Sequence, residues 1–307
     1  MPSTKSKIIN FLLRNRHLMQ GKCRKEVFTM DSSIAAFREQ CEQGAARFGK
    51  IPDGVTVKPE EIRGIKAEWL IPAGSDPARV ILYVHGGGYV SGSCSDHRGI
   101  VAKFALRCGV TCLVYEYRLA PEHPYPAALD DSVAVYSALL NSGFLPHHIL
   151  VAGESAGGGL TLALLLALKE RAIALPAGAV ALSPWTDLTC SGDSYHTKNR
   201  YSLAPMNSWT VFSRHYAGNH DPADPFVSPL FGNPAGLPPL YLNAGTDDEL
   251  FDDGARFAQK AKEAGVDVTW QPGERQVHCY PLLAPMFPEA TEAMEEVVAF
   301  VKRRLAM

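Results

Sequence analysis

From Ile62 onward, short apolar runs alternate with longer segments whose apolar residues recur at helical spacing. The runs at 80–84, 111–115, 149–152, 180–182 and 240–242, with a further one near 266–270, are nearly unbroken and suit strands buried on both faces. Between and after them, 127–140, 159–172, 253–264 and 290–305 read as helices. Strand–helix alternation predicts parallel crossovers and a doubly wound α/β sheet. Two regions break the pattern. Residues 1–50 are charged and rich in helix formers, with Ile34 and Phe37 one turn apart and Phe48 at looser spacing, and read as two amphipathic helices. Residues 187–235 are polar, aromatic and Pro-rich with no clear strand, and read as an insertion over the carboxyl edge of the sheet.

Composition narrows the class. The 307 residues are 46% hydrophobic and 20% charged, which excludes disorder, and a chain of this length buries a full core without metals or disulfides. Thirty Lys and Arg against 32 Asp and Glu leave a net charge of −2, so the chain as a whole has no electrostatic footprint for nucleic acid or an anionic membrane. No 18-residue apolar stretch occurs, so stable membrane insertion is not expected. Lys5 and Lys7 followed by 8–13 resemble the start of a signal peptide, but Arg14 and Arg16 cut the apolar stretch short. Seven cysteines lack disulfide-scaffold density, and the expectation is a reduced, cytoplasmic compartment. Cys108 and Cys112 lack the second pair a zinc site needs.

Gly153-Glu154-Ser155-Ala156-Gly157 fits G-x-S-x-G directly after one strand and before a helix. A turn that sharp strains the serine and lifts its hydroxyl above the sheet, beside the positive end of the helix and the Ala156 N–H. A phosphate-binding or capping turn is the alternative reading of these glycines, and the strand-to-helix context favours the nucleophile over it. His85-Gly86-Gly87-Gly88 closes the run 80–84, and bare glycine amides are suited to an oxygen that gains charge as a carbonyl becomes tetrahedral. The alternative, a dinucleotide loop with Glu116 on the ribose, fails because Gly86, Gly88 and Gly92 lack G-x-G-x-x-G spacing. His85 reads as a packed side chain that shapes the loop.

A serine nucleophile needs a base and an orienting carboxylate, which in such folds follow in the order acid, then histidine. Of the histidines after Ser155, His196, His215 and His220 fall in the irregular segment, leaving His278 in the loop before the last helix. The acid lies in Asp247-Asp248-Glu249, at the carboxyl end of the run 240–242.

Five ordered motifs carry a family resemblance over residues 50–307: His85-Gly86-Gly87-Gly88-Tyr89, Tyr117 to His123, Gly153 to Gly158, Ser183 to Leu188, and Val277-His278. Together they resemble the hormone-sensitive-lipase-like branch of the α/β-hydrolases, the bacterial family IV esterases. The resemblance implies an α/β-hydrolase fold, a mostly parallel central sheet flanked by helices, with a catalytic domain at 51–307, cap helices at 1–50 and a cap contribution from 187–235. It implies catalytic Ser155, Asp248 and His278, oxyanion donors Gly86, Gly87, Gly88 and Ala156, and no cofactor or metal. The usual D-P-L-R-D-E of the family is here Asp248-Glu249-Leu250-Phe251-Asp252-Asp253; keeping Leu250 and Asp252 in register selects Asp248 over Asp247. Glu154 stands where the family usually has Asp.

The resulting expectation is a serine carboxylesterase acting on short to medium acyl esters, with a small-molecule ester as partner, no nucleic acid, and a homodimer allowed. Rival readings are a non-catalytic small-ligand receptor on the same scaffold, an amidase or a lactonase. Arg118 and Glu122 read as loop braces, Cys94 and Cys279 as pocket lining, and Lys302-Arg303-Arg304 as complements to the end of the last helix.

Overall fold

In the computed structural model, which describes residues 1–19 and 21–307, eight strands form one sheet in the order β1-β2-β4-β3-β5-β6-β7-β8. They are β1 (Val55–Ile62), β2 (Ile65–Pro72), β3 (Val80–Val84), β4 (Thr111–Tyr115), β5 (Ile149–Glu154), β6 (Gly178–Leu182), β7 (Leu240–Gly245) and β8 (Val268–Gly273). The six from β3 to β8 run parallel, and the five apolar runs are wholly buried. This is the α/β-hydrolase fold.

The sequence pattern does not disclose the hairpin at the other end. β1 and β2 pair antiparallel, and β2 continues antiparallel onto β4. β1 is a polar edge strand with Pro59 inside it, a composition that protects an exposed edge and hides strand periodicity. Its two-residue turn, Arg63-Gly64, has positive φ at both positions, the geometry that matches strand twist.

Among the described residues lie ten α-helices, besides short 3-10 turns: α1 (Thr4–Arg14), α2 (Arg16–Met19), α3 (Ile34–Phe48), α4 (Cys94–Cys108), α5 (Ala127–Asn141), α6 (Ala156–Glu170), α7 (Ser194–Thr197), α8 (Ser208–Ala217), α9 (Phe251–Glu263) and α10 (Pro288–Arg304). α5, α6 and α9 cover one face of the sheet, while α4 and α10 cover the other. α6 is buried at every position from Ala156 to Leu168, as its all-round apolar sequence requires. α4 lies outside the helices that the apolar spacing predicts, although Ser93-Cys94-Ser95-Asp96 is a capping-box pattern and the box is formed.

The N-terminal region departs from the two helices expected: three helical segments lie there, with Asn15 capping α1. The side chain of Phe48 lies outside the described residues. Among the described residues, no helix is long and apolar enough to cross a membrane.

Candidate active site

His85, Ser155, Asp248 and His278 all sit just beyond the carboxyl ends of the parallel strands β3, β5, β7 and β8. Loops collect there because the crossovers leave that edge open. Ser155 has φ 57° and ψ −124°, a strained backbone for a side chain with a Cβ, and is 7% exposed. The strain is held from both sides: Ser155 N–H donates to Leu182 O at 2.8 Å, and Ser155 O accepts from Trp185 N–H at 2.9 Å. The turn closes so tightly that a Cβ on Gly157 would stand 2.1 Å from Val84 O. Among the described residues no side chain caps α6 and the N–H of Ala156, at the helix's positive end, has no protein acceptor.

The glycine loop folds back on itself, Val90 and Ser91 N–H both donating to Gly87 O at 3.2 and 3.0 Å. Gly87 has φ 110°, and a Cβ there would meet Ser91 O at 2.2 Å. Among the described residues, the N–H groups of Gly87 and Gly88 have no protein acceptor. Gly86 is different: its N–H donates to Glu154 Oε1 at 2.7 Å. Gly86 is therefore corrected from oxyanion donor to structural anchor, because a donor satisfied by a carboxylate is not free for a substrate oxygen.

The same carboxylate reveals a network that sequence reasoning missed. His97, on α4, places Nε2 3.0 Å from Glu154 Oε1, while its Nδ1 faces Asp96 Oδ1. Burial disfavours the charged imidazole, but the two carboxylates outweigh it and hold its pKa up to about 10. His85, stacked on Tyr117 at 4.1 Å and bonded through Nδ1 to Gly86 O at 2.8 Å, is pushed down to about 4 by burial and the neighbouring His97. A neutral, fully buried His85 shapes the loop. The one sequence signal for His97 was its place directly after the capping-box acid.

On the opposite side, His278 Nδ1 lies 2.9 and 3.1 Å from the two oxygens of Asp248. Burial lowers its basicity, but the Asp248 charge prevails and holds the imidazole well above its ordinary pKa. Asp247 points elsewhere, to Arg14 of α1 at 2.7 Å. Glu249, the departure from the family motif, accepts from Trp209 Nε1 at 2.8 Å; burial raises its pKa. The Trp209 ring from α8 stands edge-on to His278, centroids 5.8 Å apart.

The elbow and the histidine loop meet at one carbonyl. Leu182 O accepts from Ser155 N–H, Cys279 Sγ approaches it at 3.8 Å, and Cys279 N–H donates to Ser183 Oγ at 2.9 Å. Among the described residues, no hydrogen bond joins Ser155 Oγ to the His278 ring; such contacts are commonly loose before substrate binds. A small cleft over His278 is bordered by Tyr201, Leu203, Trp209, Asp248 and Glu249. Cys94 does not line it: the residue opens α4, its Sγ 3.6 Å from Val114 O. Arg118 and Glu122 brace separate elements, Arg118 holding Asp131 and Glu122 holding Arg38.

A strained serine between a parallel strand and its helix, on this sheet order, defines an α/β hydrolase. A family model described as the alpha/beta hydrolase fold matches residues 81–282. An acetyl-hydrolase of Streptomyces hygroscopicus is 39% identical over 237 residues, covering 77% of this chain and 79% of that protein. An esterase of Acinetobacter venetianus is 34% identical over 86% of this chain and 88% of its own. A crystal structure of an esterase from the bacterial hormone-sensitive lipase family superposes with a TM-score of 0.90 at 32% identity, covering 99% of both chains. The chain belongs to the alpha/beta hydrolase fold family, in its hormone-sensitive-lipase-like branch, and is a carboxylic ester hydrolase.

Proposed function

We propose that this esterase works through Ser155 as nucleophile, His278 as general base and Asp248 as the acid that orients and charges the imidazole. In this reading Ser155 Oγ attacks the ester carbonyl as His278 Nε2 takes its proton. The tetrahedral oxyanion is met by the N–H groups of Gly87, Gly88 and Ala156. His278 then returns the proton to the departing alkoxide, and water, activated by the same ring, releases the acid and restores the serine. The observation that supports the reading is the two-oxygen contact of Asp248 with His278 Nδ1, which fixes the ring through one nitrogen and leaves proton transfer to the other.

Short to medium acyl chains are favoured by the crowding beside the glycine loop. The Phe212 ring lies so close to Gly88 that a Cβ there would meet it at 2.4 Å, and Phe28 and Phe37 pack behind it at 5.5 and 5.3 Å. The Streptomyces relative's name, acetyl-hydrolase, points the same way. Residues 1–50 and 187–235 serve in this reading as the cap, Arg38 donating to Val90 O and Ala120 O from above the glycine loop.

Ser155→Ala should abolish turnover of a chromogenic butyrate ester while leaving the melting temperature within a few degrees. An organophosphonate should label the wild type on Ser155 and spare the variant. Unlabelled wild-type protein, or full turnover by the variant, overturns the assignment.

A further inference from the structure

The whole-chain charge of −2 conceals a strong local imbalance. Residues 1–25 contain Lys5, Lys7, Arg14, Arg16, Lys22, Arg24 and Lys25 and no Asp or Glu, a balance of +7 that leaves −9 on the remaining 282 residues. Within that segment α1 packs Ile9 and Leu13 against the core but leaves other large apolar residues outside. Its fully buried positions are polar: Ser6 Oγ donates to Gln276 Oε1 at 3.0 Å and Asn10 Nδ2 to the same oxygen at 3.1 Å. Its outward face carries Ile8, Phe11 and Leu12, spaced to share one side of the helix and 56%, 64% and 46% exposed. Leu18, 55% exposed, follows just beyond. Lys5 and Lys7 flank the trio and make no ion pair among the described residues.

We propose that α1 is a docking helix for an anionic lipid bilayer surface. A helix whose inward side is already engaged by the protein, and whose outward side combines bulky apolar residues with lysines, matches the headgroup–acyl boundary. The apolar trio enters the boundary and the lysines meet lipid phosphates. Docking lies in the surface plane and requires no spanning segment. The position has a functional consequence. Arg14, at the end of α1, pairs with Asp247 and lies 4.4 Å over the Tyr201 ring, which borders the cleft above His278. A docked α1 therefore brings that cleft to the membrane, where poorly soluble esters concentrate. The surface stands on exposure and charge, and does not depend on Ser155 being the nucleophile.

The test is sedimentation of the full chain, as wild type and as Ser155→Ala, with vesicles of phosphatidylcholine alone or mixed with phosphatidylglycerol. Both forms should bind the anionic vesicles at least about 10-fold more tightly than the neutral ones, with release at high salt. The Lys5→Glu/Lys7→Glu variant and the Ile8→Ser/Phe11→Ser/Leu12→Ser variant should each lose about 10-fold of that binding. Both should keep the wild-type melting temperature and turnover of a water-soluble acetate ester. Absence of vesicle binding, binding indifferent to lipid charge, or a triple-serine variant whose only change is dissociation of a dimer of this chain overturns the proposal.

Discussion

The two halves of the candidate site are held by different means. The serine half is fixed by backbone: the elbow hangs on Leu182 O and Trp185 N–H, and the glycine loop turns on Gly87 O. The histidine half keeps a backbone tie, Asp247 N–H to Gln276 O at 3.1 Å, but adds side chains arriving from distant parts of the chain, Arg14 on Asp247, Trp209 on Glu249, and Asn243 Nδ2 donating to the Tyr280 hydroxyl at 3.0 Å. Backbone pinning leaves few ways to move a group but needs glycine at close approaches. Side-chain tethers tolerate sequence change, and each can be cut alone. The serine half should therefore fail by steric collapse, and the histidine half by graded loss.

The largest expected effect separates the two adjacent acids of the histidine half. Asp248→Asn should lower kcat by roughly 10⁴-fold, since an amide cannot hold the charged, correctly oriented imidazole. Asp247→Asn, which cuts only the Arg14 tether, should cost less than about 10-fold. The pH profile sharpens the assignment. His278 must be neutral to act, and Asp248 raises its pKa, so kcat/KM of the wild type should rise through a midpoint above the ordinary 6.5. In Asp248→Asn that midpoint should move to lower pH. An unmoved midpoint, or the larger loss in Asp247→Asn, would transfer the role to Asp247.

The same division explains what was readable beforehand. Glycine-pinned geometry leaves local traces, so Gly153 to Gly157 and the glycines after His85 announced the serine half, and five apolar runs announced the parallel sheet. Order along the chain located His278, and motif register chose Asp248. What stayed hidden depends on contacts between remote segments. Three glycines advertise free amides, but only the fold shows that Glu154 occupies the one on Gly86. The Glu249 that stands at the family's proline position has no role legible in the sequence, and in the fold its carboxylate accepts from Trp209 Nε1. The β1–β2 hairpin leaves no strand periodicity because its edge strand is polar, and the imbalance in residues 1–25 vanishes in the whole-chain charge because the rest of the chain offsets it.

The backbone-pinned half also rests on a buried charged support, His97 against Glu154, and breaking it should have an intermediate effect. His97→Gln removes the cation between Asp96 and Glu154, freeing the Glu154 carboxylate from its place under Gly86. A displacement of the glycine loop by about 1 Å should cost up to about 10²-fold in kcat, with KM little changed. Stability supplies a second readout with a defined sign. Because folding raises the His97 pKa from 6.5 to about 10, its stabilisation is complete below about 6.5 and disappears as pH climbs toward 10. The wild type should lose melting temperature across that window more steeply than His97→Gln. Parallel curves would mean that His97 is neutral in the folded protein.

The smallest expected effect tests whether side-chain tethers yield gradually. Trp209 donates to a buried Glu249 carboxylate, and its ring forms one wall beside His278. Glu249→Gln keeps an acceptor for the indole but removes the charge, so the loss should be about 1 kcal/mol of the bond's worth. Turnover should fall only a few-fold. Trp209→Phe removes the donor while keeping an aromatic wall, and should match it. A double variant no worse than either single one would show both changes acting through the one bond. Additive losses would instead mean that Glu249 acts on His278 through its charge, independently of the indole, and that the wall and the acid are separate supports.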